Sequence, residues 1–124
     1  MPGSVTAVFS EAKDFTAALR AEGALGVLVT GAGEFRARLT QVALHNLRLS
    51  AADEHLPRIA LITVPAGMIL VTLAKGRTPG PIWGGVRLGA DGILTLGASQ
   101  RLHVRTDGHS RWGSIWLPAT DLVR

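Results

Sequence analysis

The sequence predicts a single, mainly β domain, and three observations carry this prediction. Apolar and polar residues alternate in seven or eight short runs, glycine-rich turns separate these runs, and one segment has helical periodicity. Short strands at close spacing are typical of an antiparallel sandwich or barrel. We therefore expect residues 1–124 to form one β-barrel domain with one short helix near its start.

The helix is predicted from Ser10 to Glu22. Ser10 is a suitable N-cap because its hydroxyl can accept a hydrogen bond from a backbone N–H that lacks an intrahelical partner. Phe15 and Leu19 lie four residues apart and so share one face, which must be buried against the rest of the domain. Gly23 is well placed to end the helix, since glycine adopts a left-handed conformation at little cost.

The period changes to two after Gly23. Leu25, Val27 and Val29 alternate, and a long alternating run from Phe35 to Leu49 follows. The polarity of the two faces of this run changes midway, which predicts either a bulge near Gln41 or two strands that turn a corner.

The later strands are predicted between loops and turns, beginning after a loop at Asp53–Pro57. They are Ile59–Val64, Met68–Leu73, Ile82–Leu88, Ile93–Leu96, Arg101–Thr106 and Trp112–Leu117. The connections contain Pro65-Ala66-Gly67, a Gly- and Pro-rich loop at Lys75–Pro81, Ala90-Asp91-Gly92 and Thr106-Asp107-Gly108, and the last two are hairpin signals.

Composition excludes several classes of protein. The 124 residues are 47% hydrophobic, which suffices for a core and is too high for a disordered chain. The absence of cysteine excludes disulfides and thiolate zinc sites and fits a cytoplasmic protein. The start of the chain lacks the pattern of a secretory signal, and Pro65 and Gly67 interrupt the longest apolar run. We therefore expect no association with a membrane.

The net charge of +4 is unevenly distributed. Residues 1–34 carry two basic and four acidic side chains, whereas residues 35–124 carry eleven basic and five acidic side chains. The arginines are scattered singly, with no basic cluster and no interleaved aromatic residues, so we expect no direct DNA binding by this chain.

No set of residues indicates catalysis or metal binding. The histidines lack the two- or four-residue spacing that brings two imidazoles to one metal, so surface or pocket histidines are favoured over a group formed by His103, His109 and Asp107. No serine has the context of a nucleophile elbow, and Asp53 and Glu54 are assigned to a loop rather than to acid–base chemistry. We expect no enzyme activity, no cofactor and no metal.

The candidate ligand-binding residues are Gln41, His45, Trp83, Trp112 and Trp116. Trp112 and Trp116 lie four apart on one strand and point to the same face, where they fill the core, line a cavity or meet a partner. Strict alternation places Gln41 and His45 on the apolar face of their run. Polar groups there are either paired with neighbouring backbone or hydrogen-bonded to a ligand in a cavity.

Four motifs resemble the N-terminal ligand-binding and dimerisation domain of AraC-type transcriptional regulators. They are Phe9-Ser-Glu-Ala-Lys-Asp-Phe15, Gly33-Glu-Phe-Arg-Ala-Arg-Leu39, Val42-Ala-Leu-His-Asn-Leu-Arg-Leu49 and Trp112-Gly-Ser-Ile-Trp-Leu-Pro118. The resemblance covers nearly the whole chain. It implies a cupin-like double-stranded β-barrel or jelly roll that binds a small-molecule effector, forms a homodimer and serves a cytoplasmic regulator.

The chain departs from that family in two respects. The sequence ends at Arg124 without the helix-turn-helix domain that follows the sensor in these regulators, so we expect either an excised domain or a stand-alone sensor. It also lacks the His-x-His motif and the later glutamate of metal-binding cupins, because no glutamate follows Glu54. The alternatives are a small β-barrel enzyme and a purely structural dimerisation module.

Overall fold

A computed structural model of the chain describes residues 3–21, 23–74, 80–89, 92–97 and 99–122. In chain order the elements are β1 Gly3–Phe9, α1 Ala12–Ala21, β2 Ala24–Val29, β3 Ala37–Ala43, β4 Arg48–Glu54, β5 Arg58–Thr63, β6 Met68–Ala74, β7 Ile82–Trp83, β8 Val86–Arg87, β9 Ile93–Leu96, β10 Arg101–Thr106, β11 Ser110–Pro118 and a 3-10 helix Ala119–Leu122. No helix in these ranges is long and apolar enough to cross a membrane.

The strands form two antiparallel sheets. Sheet 1 has the order β1-β3-β4-β11-β6-β9, and sheet 2 has the order β2-β5-β10-β7-β8. The eight strands from β4 to β11 divide into β4-β11-β6-β9 and β5-β10-β7-β8, which is the strand order of a jelly roll made of two Greek keys. The predicted fold class is confirmed, because the described residues are mainly β, have the strand order of a jelly roll and contain one short α-helix near the start.

The core has two apolar clusters. One lies between the sheets and contains Trp83, Val104 and Trp116. The other lies where α1 packs on the sheets, and it contains Phe15, Leu19, Ala24, Ala37, Leu39, Ala52 and Trp112. The prediction that Phe15 and Leu19 form the buried face of the helix is therefore confirmed.

The helix is shorter than the sequence predicts. It begins at Ala12 rather than Ser10, because the preceding residues, up to Phe9, belong to strand β1, which the sequence analysis did not predict. Gly23 follows the helix with a φ of 96°, in the left-handed region where glycine is favoured.

Two predicted strands are each split by a turn. The run from Phe35 to Leu49 becomes β3 and β4, and the corner lies after Ala43 rather than at Gln41. The segment Ile82–Leu88 becomes β7 and β8, because two glycines with positive φ reverse the chain between them.

The turn at Thr106-Asp107-Gly108 does not form the predicted hairpin, because β10 belongs to sheet 2 and β11 to sheet 1. The loop predicted at Asp53–Pro57 is also shorter, since Asp53 and Glu54 belong to β4.

The predictions for Glu22, for positions 75–79, for the turn residues 90 and 91 and for Arg124 lie outside the described residues.

Candidate functional site

A cavity lies between the two sheets, and all three tryptophans line it. Trp83 reaches it from β7 of sheet 2, and Trp112 and Trp116 reach it from β11 of sheet 1. Alternation along β11 turns its two tryptophans to the same side, as the sequence predicts. The cavity, together with its open mouth, has an empty volume of about 440 Å³. Within it, the region that the centre of a water molecule can occupy is about 40 Å³, so the cavity is narrow. The tryptophans therefore both fill the core and enclose a narrow cavity.

Most of the wall is apolar, with a few polar groups. The apolar part includes Leu19, Ala24, Ala60, Ile62, Leu70, Pro81 and Val104. The polar residues of the wall are Arg58, Thr72 and Ser114. An apolar pocket with a few convergent polar groups is the usual composition of a small-molecule site.

The indole nitrogen of Trp83 is buried and unpaired. The residue is 8% exposed, and its Nε1 has no hydrogen-bond partner among the described residues. A buried donor without an acceptor costs about 1–3 kcal/mol, so such atoms are rare in folded proteins. Trp83 lines the cavity, so its unpaired N–H is the polar atom of this region that the described residues leave unexplained.

A buried ion pair lies beside the cavity. Glu54, at the end of β4, is 2% exposed, and Arg58, at the start of β5, is 4% exposed. The Arg58 Nε donates to Glu54 Oε1 at 2.9 Å, and Nη2 donates to Oε2 at 2.9 Å. Nη1 donates to the carbonyl of Val104 at 3.3 Å, and the indole Nε1 of Trp112 donates to Glu54 Oε2.

This network determines the charge of the cavity. The carboxylate of Glu54 balances the guanidinium of Arg58, so the pair contributes no net charge. The three bonds made by Arg58 use three of the five N–H donors that a guanidinium carries.

The other two predicted ligand-binding residues are not part of the cavity wall. Gln41 is half-buried in β3, where it lies opposite Ser50 in the register of the sheet. His45 is exposed in the turn between β3 and β4, which a hydrogen bond from the Leu44 amide to the Leu47 carbonyl closes. The sequence predicted that both residues share one face of a strand. They do not, because Gln41 lies in β3 whereas His45 lies in the turn that follows it.

A second cluster of polar side chains lies on the surface at the end of β4. The His109 Nε2 and the Asp53 Oδ1 are 2.5 Å apart, and the His55 Nε2 lies 3.8 Å from the same oxygen. The two imidazole rings stack with their centroids 4.6 Å apart. The Nε of Arg111 forms an ion pair with the other oxygen of Asp53 at 3.2 Å.

The surroundings of Asp53 shift its pKa in opposite directions. Partial burial raises the pKa of the carboxyl group. The hydrogen bond with His109 and the charges of His109, Arg111 and His55 lower it further than burial raises it. The pKa of Asp53 consequently lies below its ordinary value of 3.8.

The surface cluster lacks the nucleophile of a hydrolytic triad. Asp53 and His109 have the arrangement of an acid and a base, but the neighbouring Ser110 is buried on the opposite face of β11, opposite Glu54 in the register. His103 and Asp107, which the sequence analysis considered as metal ligands, do not join this cluster. The expectation that the chain is not an enzyme stays a prediction.

The fold and the cavity define a class: a jelly-roll domain with a narrow internal cavity. No model of a protein family matches the chain. No curated protein matches it either. Among solved structures, the chain is similar to the Clostridium difficile EutQ protein, with 10% sequence identity and a TM-score of 0.48. The similarity covers 68% of this chain and 64% of that one, which is less than two thirds of its length.

Proposed function

We propose that this chain is the sensor domain of an AraC-type transcriptional regulator and that it binds a small effector in the cavity between its sheets. The observation that carries the proposal is the unpaired indole N–H of Trp83, a residue of the cavity wall that is 8% exposed. An effector that accepts a hydrogen bond from this group would remove the cost of burying it. The four AraC-like sequence motifs support the regulatory part of the proposal.

The cavity favours a small and neutral effector. Its volume excludes a large molecule unless a tryptophan moves. Arg58 is already neutralised by Glu54, so an anion would enter without a free counter-charge. The net positive charge of residues 35–124 alone would favour an acidic effector, but the buried ion pair removes that preference at the cavity. We therefore infer a ligand of a few heavy atoms with a carbonyl or another oxygen acceptor.

Nuclear magnetic resonance tests this proposal directly, because each tryptophan gives one indole N–H resonance. The probes are 2-butanone, butyrate and n-butylammonium, which are similar in size and differ in charge. We expect 2-butanone to shift the indole resonance of Trp83 in a saturable manner and the two ions to have much smaller effects.

Two variants serve as the test and its control. Trp83→Phe removes the donor and is expected to weaken 2-butanone binding, whereas His45→Ala changes an exposed turn residue and is expected to leave it unchanged. Binding to both variants is followed through the indole resonances of Trp112 and Trp116, which also line the cavity. Equal shifts by all three probes, or no saturable shift of Trp83, would refute a neutral-ligand site at this cavity.

A purely structural dimerisation module is the second candidate, and the narrowness of the cavity favours it. The outer face of sheet 1 offers an apolar surface for self-association. Val42, Leu49, Ile115 and Val71 are successive neighbours across four strands of that face. A contiguous apolar surface commonly marks an interface, so we propose a homodimer formed through this face.

Sedimentation equilibrium tests the dimer independently of the ligand. Leu49→Arg is expected to convert the dimer to a monomer, while Ile59→Arg, on the exposed side of sheet 2, is expected to leave it intact. A dimer that responds to no probe supports the structural module, and a dimer that binds 2-butanone supports the sensor.

A further inference from the structure

The surface cluster at the end of β4 brings together three side chains that are distant in sequence. Asp53 and His109 lie 56 positions apart, on strand β4 and on the turn before β11. His55 follows β4 directly. One ligand atom from each of the three lies within 4.8 Å of the other two. The spacing along the chain, on which the expectation of no metal rested, could not reveal this arrangement.

The separations suit a transition metal. Zinc bound to nitrogen and oxygen at about 2.0–2.1 Å places neighbouring ligand atoms of a tetrahedral site about 3.3 Å apart. The two histidine nitrogens lie 2.5 Å and 3.8 Å from the Asp53 Oδ1, on either side of that value. Small rotations of the two exposed imidazoles would bring all three groups to the distances of a coordination sphere.

Arg111 orients the carboxylate of this cluster. Its Nε binds the Asp53 Oδ2 at 3.2 Å, which leaves Oδ1 to the two histidines. Outer partners of a ligating group restrict its orientation in metal sites, and the ion pair places Arg111 in this role. The guanidinium repels a cation as well, so it favours a site of moderate rather than high affinity.

We propose that Asp53, His55 and His109 form a binding site for a divalent transition-metal ion. Two neutral imidazoles and a carboxylate are ligands that zinc and nickel accept, whereas magnesium and calcium prefer a shell of oxygen atoms. Three protein ligands leave at least one coordination position open to water or to an external ligand. The site lies on the surface, apart from the cavity, because Asp53 and Glu54 point to opposite sides of β4.

Titration of the full chain with metal tests the site. The protein is produced without an affinity tag and treated with a chelator, and Zn²⁺, Ni²⁺ and Mg²⁺ are added in separate calorimetric titrations. We expect one Zn²⁺ or Ni²⁺ per chain, an increase in melting temperature with either, and no saturable binding of Mg²⁺.

The four histidines of the chain supply matched variants. His55→Ala and His109→Ala are each expected to weaken Zn²⁺ binding at least about ten-fold. His45→Ala and His103→Ala remove the other two histidines and are expected to leave it unchanged. Circular dichroism verifies that each variant is folded, and glutamine at the same position replaces any alanine variant that is not.

The readout that identifies the ligands is the ring ¹⁵N chemical shift of the histidines, which changes on coordination. Shifts confined to His55 and His109 support the site. The absence of saturable Zn²⁺ binding would overturn the proposal and leave the cluster as a hydrogen-bonded surface group. Binding that survives in the His55→Ala/His109→Ala double variant would overturn it as well.

Discussion

Glu54 and Arg58 lie four positions apart in sequence, yet they belong to different sheets and form a bidentate ion pair in the interior. The short loop between β4 and β5 carries the chain from sheet 1 to sheet 2, and the ion pair links its two ends. Both nitrogen–oxygen distances are 2.9 Å. Arg58 also donates to the Val104 carbonyl, so the pair fixes the cavity wall as well as the crossing between the sheets.

We predict that breaking this pair is costly and that replacing both partners is less costly. Arg58→Met leaves the Glu54 carboxylate buried without its counter-charge, which should lower the free energy of unfolding by about 3–5 kcal/mol. The double variant Glu54→Leu/Arg58→Met removes both charges and should recover part of that loss, because well-packed apolar pairs commonly equal buried ion pairs in stability. The recovery is incomplete because the buried Trp112 Nε1–H loses its acceptor, at a cost of about 1–3 kcal/mol. Urea unfolding measures the free energy of unfolding of both variants. A double variant as unstable as Arg58→Met would contradict the prediction.

A second prediction concerns the residue that ends the helix. A Cβ atom at Gly23 would lie 2.8 Å from Cζ2 and 2.9 Å from Cη2 of Trp116, which is 3% exposed and has little room to move. The φ of 96° adds backbone strain for any other residue. We expect Gly23→Ala to lower the free energy of unfolding by about 2–5 kcal/mol.

Gly26 provides the control in the adjacent strand. A Cβ atom there meets no atom of the described residues within 4 Å. Gly26→Ala should therefore be neutral or stabilising by up to about 1 kcal/mol, since alanine loses less conformational entropy on folding. Similar losses in both variants, measured by thermal unfolding, would show that the contact with Trp116 is not the cause.

Local sequence patterns predict the fold well where turns delimit a short alternating run. The bounds predicted for Ile93–Leu96 and Arg101–Thr106 are those of β9 and β10. Alternation also places Trp112 and Trp116 on the same face, and both line the cavity. These features depend on neighbouring residues only, which the sequence displays directly.

The pairing of distant groups could not be predicted in the same way. Glu54 follows Asp53 and precedes a proline-containing segment, a polar pattern that predicts a loop. In the structure it occupies an inward position of β4 instead. Its partner can be identified only when the crossing between the sheets is known. The proximity of Asp53 and His109 likewise depends on the register of β4 with β11. Sequence spacing carries no information about that register.

The third prediction follows from the lowered pKa of Asp53. A carboxyl group whose pKa is lower in the folded chain stabilises the fold at pH values above its unfolded pKa, and this contribution disappears as the pH falls through the folded pKa. We therefore expect the difference in unfolding free energy between the wild type and Asp53→Asn to be present at about pH 5 and to shrink at lower pH. Urea unfolding with a chelator present measures this difference, and a difference independent of pH would contradict the prediction.

The last prediction compares two tryptophans of equal exposure. Trp83 and Trp112 are both 8% exposed and both line the cavity, but only Trp112 donates its Nε1–H to a described residue, the carboxylate of Glu54. Phenylalanine in place of either removes the larger ring, whereas only Trp112→Phe also removes a hydrogen bond to a buried charge, which is worth about 1.5–3 kcal/mol. Trp112→Phe should consequently be less stable than Trp83→Phe by about that amount in urea unfolding. Equal losses would show that packing alone determines the stability of both sites, and a larger loss for Trp83→Phe would show that its N–H has an acceptor in the folded chain.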